Sequence, residues 1–166
     1  CLKADLFTII DEQNNIYESH ASKLLKMKHQ ELKVGDFVSF DQLEGNKAYI
    51  TDVYERRNDL VRPPIANIDL AIVTMSVKEP IFNDNLLDRF LTILSFNNIK
   101  TIIVFTKWDL LVDEEVNHMN EIVDYYHRIG YDTYKTSTKN NMDEAEIFNL
   151  LNNKSATCFG EEILNS

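Results

Sequence analysis

Apolar and polar positions follow two different rhythms along this chain, and the change falls near residue 63. Before it, short apolar runs alternate with turns. Leu6-Phe7-Thr8-Ile9-Ile10 meets the polar stretch Asp11-Glu12-Gln13-Asn14-Asn15, and Ile16-Tyr17 begins a return strand, the pattern of a hairpin. Val34-Gly35-Asp36 turns into Phe37-Val38-Ser39-Phe40, and Glu44-Gly45-Asn46 turns into a strand over residues 48–54. Residues 23–33, KLLKMKHQELK, read as a basic loop. Short strands, Gly and Asn turns and no helix predict an all-β domain over residues 1–62, a small barrel such as an OB-fold.

After residue 63 the rhythm is strand, helix, strand. Pro63-Pro64 rigidifies an extended joint, because proline fits neither a helix interior nor a central strand. Ile68–Met75 is a buried strand. Asn83-Asp84-Asn85 offers caps for a helix carrying Leu86, Leu87, Phe90, Leu91, Ile93 and Leu94 on its apolar side. The run Thr101-Ile102-Ile103-Val104-Phe105 is the mark of a strand buried on both faces. A helix follows from Asp113 with Val116, Met119, Ile122, Val123 and Tyr126, closed by Gly130; then come a strand at 131–135, a helix at 143–151 and a strand at 155–159. Repeated β-α-β units over residues 63–166 predict a parallel sheet with helices on both faces.

That sheet puts candidate chemistry at one edge. The TIIVF strand stops at Thr106-Lys107-Trp108-Asp109, and ligands of open α/β sheets bind where strands end. An ionised carboxylate is acceptor-only and suits the two N–H donors of a guanine base, while Lys107 lays its stem along the base plane. A solvated strand-end turn is the competing reading of this tetrapeptide. Thr136-Ser137-Thr138-Lys139 follows the next strand and offers hydroxyl and N–H groups, a weak signal by itself. Lys154–Gly160 ends an apolar strand on glycine, as a phosphate loop begins, but Glu161 and Glu162 follow where that loop needs Gly, Lys and Ser or Thr. No residue is assigned a catalytic role. His20, His29, His118 and His127 share no metal-ligand spacing, and Cys1 and Cys158 form no CxxC, so no metal site is assigned within this stretch.

Charge refines the picture. The formal net charge is −10, which argues against broad nucleic-acid binding by the whole chain. Residues 1–62 hold 9 Lys and Arg against 11 Asp and Glu, a net of −2, while the remaining 8 and 16 give −8. Any RNA contact is therefore expected in the first part, through Lys26, Lys28 and the arginines Arg56, Arg57 and Arg62; a solvated loop and a plain linker are the alternatives. No apolar run approaches a membrane span, and the cysteine usage fits a reducing cytoplasm.

These segments together resemble the circularly permuted GTPases of small ribosomal subunit assembly, the RsgA (YjeQ) family. The resemblance is carried by Val34-Gly35-Asp36, by ERRNDLVRPPIANID from Glu55 to Asp69, by Pro80-Ile81-Phe82 and by Leu87-Asp88-Arg89-Phe90-Leu91. It extends to Thr106-Lys107-Trp108-Asp109-Leu110, Ser137-Thr138-Lys139 and Lys154–Gly160, and covers the chain nearly to Gly160. It implies an OB-fold over 1–62, a partial GTPase domain over 63–166 whose base-recognition motifs precede the phosphate loop, and a C-terminal zinc domain not present in this chain. It implies GTP or GDP with Mg²⁺, Zn²⁺ in that further domain, and the small ribosomal subunit and its rRNA as partners of a cytoplasmic monomer. Guanine contacts would come from Thr106, Lys107, Trp108, Asp109, Ser137, Thr138 and Lys139, with Gly160 opening the phosphate site. Thr106 stands where the family motif usually has Asn. Without a phosphate loop the chain as it stands is expected to be inactive. A non-catalytic RNA-binding module with a degenerate nucleotide fold is the alternative.

Overall fold

The computed structural model of the protein describes residues 6–27, 31–137, 139, 143–152 and 154–160. The chain divides into two compact units, residues 1–67 and 68–166. Among the described residues no helix is long and apolar enough to cross a membrane.

The first unit is built on a four-stranded sheet. Strands β1 (Phe7–Ile10), β2 (Ile16–Ala21), β3 (Val38–Gln42) and β4 (Lys47–Val53) lie in the order β1-β2-β4-β3. The β1–β2 and β3–β4 pairs are antiparallel, and β2–β4 is parallel. Asp11 fixes the first turn by accepting from the backbone N–H groups of Gln13 and Asn15 at 2.9 and 2.8 Å. Alternate residues of β2 and β4 are buried, so Ile9, Tyr17, Ala48, Ile50 and Val53 form one core, with the Tyr17 and Phe40 rings 5.1 Å apart. β1 and β3 are the two edges of this sheet. A groove of about 1080 Å³ is lined by Phe7, Ile9 and Ile10 from the one and Val38 and Phe40 from the other.

The first unit is not all-β. Lys23–Met27, expected to be loop, is a short helix, α1. Ser22 caps it, accepting from Leu25 N–H on its hydroxyl at 3.2 Å and from Lys26 N–H on its carbonyl at 3.1 Å. Leu25 then enters the core, and that burial decides between helix and loop.

The segment from Glu55 to Asn67 folds back onto Val34-Gly35-Asp36. Val34 bridges Ile65 and Asp59 bridges Ala66. Gly35 has φ +87°, and a Cβ there would lie 2.3 Å from the Ala66 carbonyl oxygen. Asn67, also at positive φ, donates through its amide to the Gly35 carbonyl at 2.9 Å and accepts from Arg57 N–H at 3.0 Å. Asp36 is the centre of this latch. Its side chain is only 3% exposed and takes Arg56 in a fork, Nε to Oδ1 at 2.7 Å and Nη2 to Oδ2 at 2.9 Å. Lys33 N–H adds a third donor at 2.7 Å, and the Lys33 ammonium reaches Asp59 and the Leu60 carbonyl. Arg56, expected to meet phosphate, is paired inside the unit with Asp36 and Asp59.

The second unit is the alternating part. Its strands β5 (Leu70–Ser76), β6 (Thr101–Thr106), β7 (Asp132–Lys135) and β8 (Ala156–Gly160) form a fully parallel sheet in the order β7-β6-β5-β8. Helices α2 (Asp84–Phe96), α3 (Asp113–Arg128) and α4 (Glu144–Leu151) cover it. On one face Leu70, Ile72, Ile102, Val104 and Tyr134 pack against Ile147, Leu150 and Leu151 of α4. On the other, Phe90 of α2 meets Phe159 with ring centres 6.0 Å apart, and Tyr126 of α3 donates to Asp88 of α2 at 2.9 Å. Of the apolar side expected for α2, Leu87, Phe90, Leu91 and Leu94 are buried, whereas Ile93 is exposed. Asn83 caps α2 by accepting from Leu86 N–H at 3.1 Å.

Arg56→Met should destabilise the first unit by roughly 3 kcal/mol, since it strands a buried carboxylate at Asp36. Lys33→Met should cost clearly less, because its partner Asp59 is 38% exposed and can turn to water. Urea denaturation of both variants checks this, and equal losses would contradict a latch centred on Asp36.

Candidate base-recognition site

The site is built where β6 and β7 end side by side. Their parallel register runs from Ile102–Asp132 to Phe105–Lys135, so the two exits reach the same edge together. Two backbone bonds carry the pairing past the strands: Thr136 N–H donates to Phe105 O at 2.8 Å, and Trp108 N–H donates to Thr136 O at 3.1 Å. Lys107 sits between them in the left-handed region, φ 59°, and the chain tightens into one 3-10 turn at Trp108–Leu110. That sharp reversal tucks Asp109 back against the β7 exit.

Asp109 and Ser137, far apart in sequence, meet there. Ser137, itself buried, donates its hydroxyl to Asp109 Oδ1 at 2.8 Å. The Lys139 ammonium lies 3.0 Å from Oδ2, and Lys139 N–H donates back to Ser137 Oγ at 3.1 Å. The Ser137 hydroxyl, and after it Lys139, hold the Asp109 carboxyl below the usual carboxylate range. The group is therefore an anion at neutral pH, an acceptor with no proton to give. Lys107 extends its ammonium to the Glu79 carbonyl in the loop after β5. Thr106 Oγ1 donates to Met75 O at 3.4 Å, tying the ends of β5 and β6.

A second layer supports the turn. The Lys135 ammonium stands 4.5 Å from the centre of the Trp108 ring and donates to Asn120 of α3 at 2.6 Å. Lys135 N–H donates to Asp143 at 2.9 Å, ahead of α4. Trp108 thus props the turn through its ring. Nothing local in the sequence marks Lys135, Asn120 or Glu79 as part of this arrangement.

The other expected residues fall as follows. Thr138 and Lys28 lie outside the described residues. Gly160 ends β8 beside Thr74, where a Cβ would come within 2.9 Å of Thr74 Oγ1, so any side chain there would make Thr74 shift. β8 flanks β5 on the side away from β6, which makes the β5–β8 boundary the switch point of this sheet. Lys26 lies in the last turn of α1, exposed, as are Arg57 and Arg62. Arg57 also donates from Nη2 to the Asn67 carbonyl at 3.3 Å. Among the described residues no group of three or more His, Cys, Asp or Glu is placed to hold a metal ion.

What this arrangement can do is limited and specific. It offers one anionic, acceptor-only carboxylate, and a hydroxyl that fixes the carboxylate plane. It fits a planar ligand edge bearing two adjacent N–H donors.

Comparison with known proteins places the chain in a family. The family model described as RsgA GTPase matches residues 53–162. The small ribosomal subunit biogenesis GTPase RsgA of Streptococcus pneumoniae is 39% identical over 155 residues, 93% of this chain and 50% of the relative. Its counterpart in Latilactobacillus sakei is 37% identical over 133 residues, 80% of this chain and 44% of the relative. Among solved structures, YloQ, described as a circularly permuted GTPase, superposes with a TM-score of 0.83 at 30% identity, covering 97% of this chain and 57% of that one. YjeQ from Thermotoga maritima gives a TM-score of 0.86 at 26% identity, with 98% and 61% covered. The chain spans about half the length of the curated relatives it matches. On its sequence match and its fold alike, the chain belongs to the RsgA GTPase family.

Proposed function

We propose that this chain carries the guanine-recognition site of a GTPase acting in small ribosomal subunit biogenesis. Its first 62 residues would be an OB-fold that meets ribosomal RNA, and residues 63–166 part of the nucleotide domain. The observation that carries the reading is Asp109: a carboxylate only 10% exposed, oriented by Ser137 and kept ionised at the end of a central parallel strand. A guanine base brings the N1–H and 2-amino donors that such an acceptor needs. Lys107 and Lys139 would flank the base plane. The nucleotide would be GTP or GDP, in keeping with the relatives' name, and Mg²⁺ would neutralise charge on its phosphates.

The four strands of the first unit, with their edges facing one groove, fit a partly open barrel of the OB type. With Arg56 committed to the latch, the proposed RNA contact rests on Lys26, Lys28, Arg57 and Arg62. The uneven charge, −2 against −8, favours this unit over the acidic remainder.

Three outcomes follow. In the full-length protein Asp109→Asn should weaken GDP about tenfold to a hundredfold, the worth of hydrogen bonds to a charged group, and strengthen xanthosine diphosphate. Calorimetry with both nucleotides checks this; an unchanged ratio would remove Asp109 from the base site. The second outcome concerns pH. Because the Asp109 pKa is depressed in the folded protein, the anion and the stability it confers are present above the ordinary carboxylate value and lost only as pH falls below it. Guanosine affinity should therefore stay flat from about pH 7 down to about pH 5, and an early decline near pH 6 would contradict it. Third, Lys26→Glu with Lys28→Glu should weaken binding to small subunits and lower the salt slope by roughly 0.7–0.9 for each phosphate no longer neutralised. GDP binding should be unaffected. Subunit binding that does not change across salt concentrations would make these lysines merely solvated.

A further inference from the structure

Three consecutive residues at the exit of β7 hold two consecutive residues of the turn after β6. The Lys135 ammonium stands over the Trp108 ring, the Thr136 carbonyl accepts from Trp108 N–H at 3.1 Å, and the Ser137 hydroxyl donates to Asp109 Oδ1 at 2.8 Å. The main-chain bond sets how far the turn lies from β7, but a single bond acts as a hinge. A second point of attachment on the indole ring stops the turn from rotating about it.

Lys135 suits that role. Its ammonium lies 4.5 Å from the ring centre and donates to Asn120 Oδ1 of α3 at 2.6 Å. Both partners are neutral, so the cation does not balance a carboxylate there. The ring quadrupole attracts it, and Asn120 fixes where over the ring it stands. Lys135 and Trp108 are both half-buried, where such a contact is worth more than in open water.

Rotation of this turn matters more to some ligands than to others. A carboxylate that accepts two adjacent N–H donors has to lie in the plane of the base, whereas acceptance from a single donor tolerates tilt. Preference for a base with both donors over one with a single donor therefore measures how well the carboxylate is oriented.

We propose that Lys135 is a positioning residue for base specificity: through Trp108 it holds Asp109 in the plane of guanine, and so sets the preference for guanine over hypoxanthine, which lacks the 2-amino group. This rests on the reading of Asp109 as the guanine acceptor. Lys135 acts on the carboxylate through the indole and makes no contact with the base.

The test compares GDP with inosine diphosphate on the full-length protein by calorimetry. The phosphates are common to both, so the ratio of affinities isolates the 2-amino group. Lys135→Met keeps the stem and removes the charge, and it should shrink the ratio about two- to fivefold. Lys135→Arg returns a cation to the ring face and should restore it. Asn120→Ala should move the ratio in the same direction as Lys135→Met, by less. In a Trp108→Leu background Lys135→Met should change nothing further. A ratio unchanged in Lys135→Met overturns the proposal even where both affinities fall, because a loosened fold weakens the two nucleotides alike. An equal drop in the Trp108→Leu background overturns it too, since Lys135 would then act without the indole. Asp109→Asn separates the two readings. If it leaves the ratio untouched, the base-site reading fails; if it collapses the ratio while Lys135→Met does not move it, the role of Lys135 alone falls.

Discussion

The parallel ladder between β5 and β6 is the constraint on which the second unit depends. It runs unbroken from Ala71–Thr101 to Ser76–Thr106, with Val73, Met75, Ile103 and Phe105 wholly buried. Parallel neighbours cannot be joined by a hairpin, so the chain must cross a face of the sheet between them, and α2 is that crossing. Every crossing returns the next strand to the same edge. The exits of β6 and β7 therefore arrive together, and the backbone bonds Phe105–Thr136 and Trp108–Thr136 zip them beyond the sheet. The meeting of Asp109 with Ser137 is a consequence of main-chain register; the side chains need only be the right types.

In the first unit charge does a job that burial cannot. A small mixed sheet has one modest core, and the segment from Glu55 to Asn67 is too polar to join it. It is held instead by Asp36, whose carboxylate gathers the Arg56 fork and Lys33 N–H, and by the close approach of Gly35 to Ala66. The stretch ERRNDLVRPPIAN, with its upstream VGD, is thus a structural clasp. Its arginines look like a phosphate patch in one dimension because the carboxylate that takes the Arg56 fork lies 20 residues away.

The same distance separates what was legible in the sequence from what was not. TIIVF, the α2 stripe and the Gly130 stop each carry their signal locally, and strands and helices after residue 68 fall where periodicity puts them. TKWD was readable because it ends a strand. The α1 helix was missed because five residues are too few for a period, and only Ser22 and the burial of Leu25 declare it. The pairing of Arg56 with Asp36, and the places of Lys135 and Asn120, were invisible, since they come from contacts across the fold. Thr106 departs from the motif, yet in place its hydroxyl reaches Met75 O and helps fasten β5 to β6.

Two buried carboxylates therefore organise this chain, and the difference between them separates scaffold from site. Asp36 is 3% exposed and faces a guanidinium that is 21% exposed, a rigid fork with no route for exchange. Asp109 is 10% exposed and faces a lysine whose side chain is 69% exposed, a single flexible donor. Both are satisfied, and neither leaves an orphaned acceptor. Desolvation of the carboxylate is borne by the fold through Ser137 in advance, so the base proposed for this site would meet an acceptor already fixed in plane and charge. The recognition proposed for this edge is in that sense prepared by the fold.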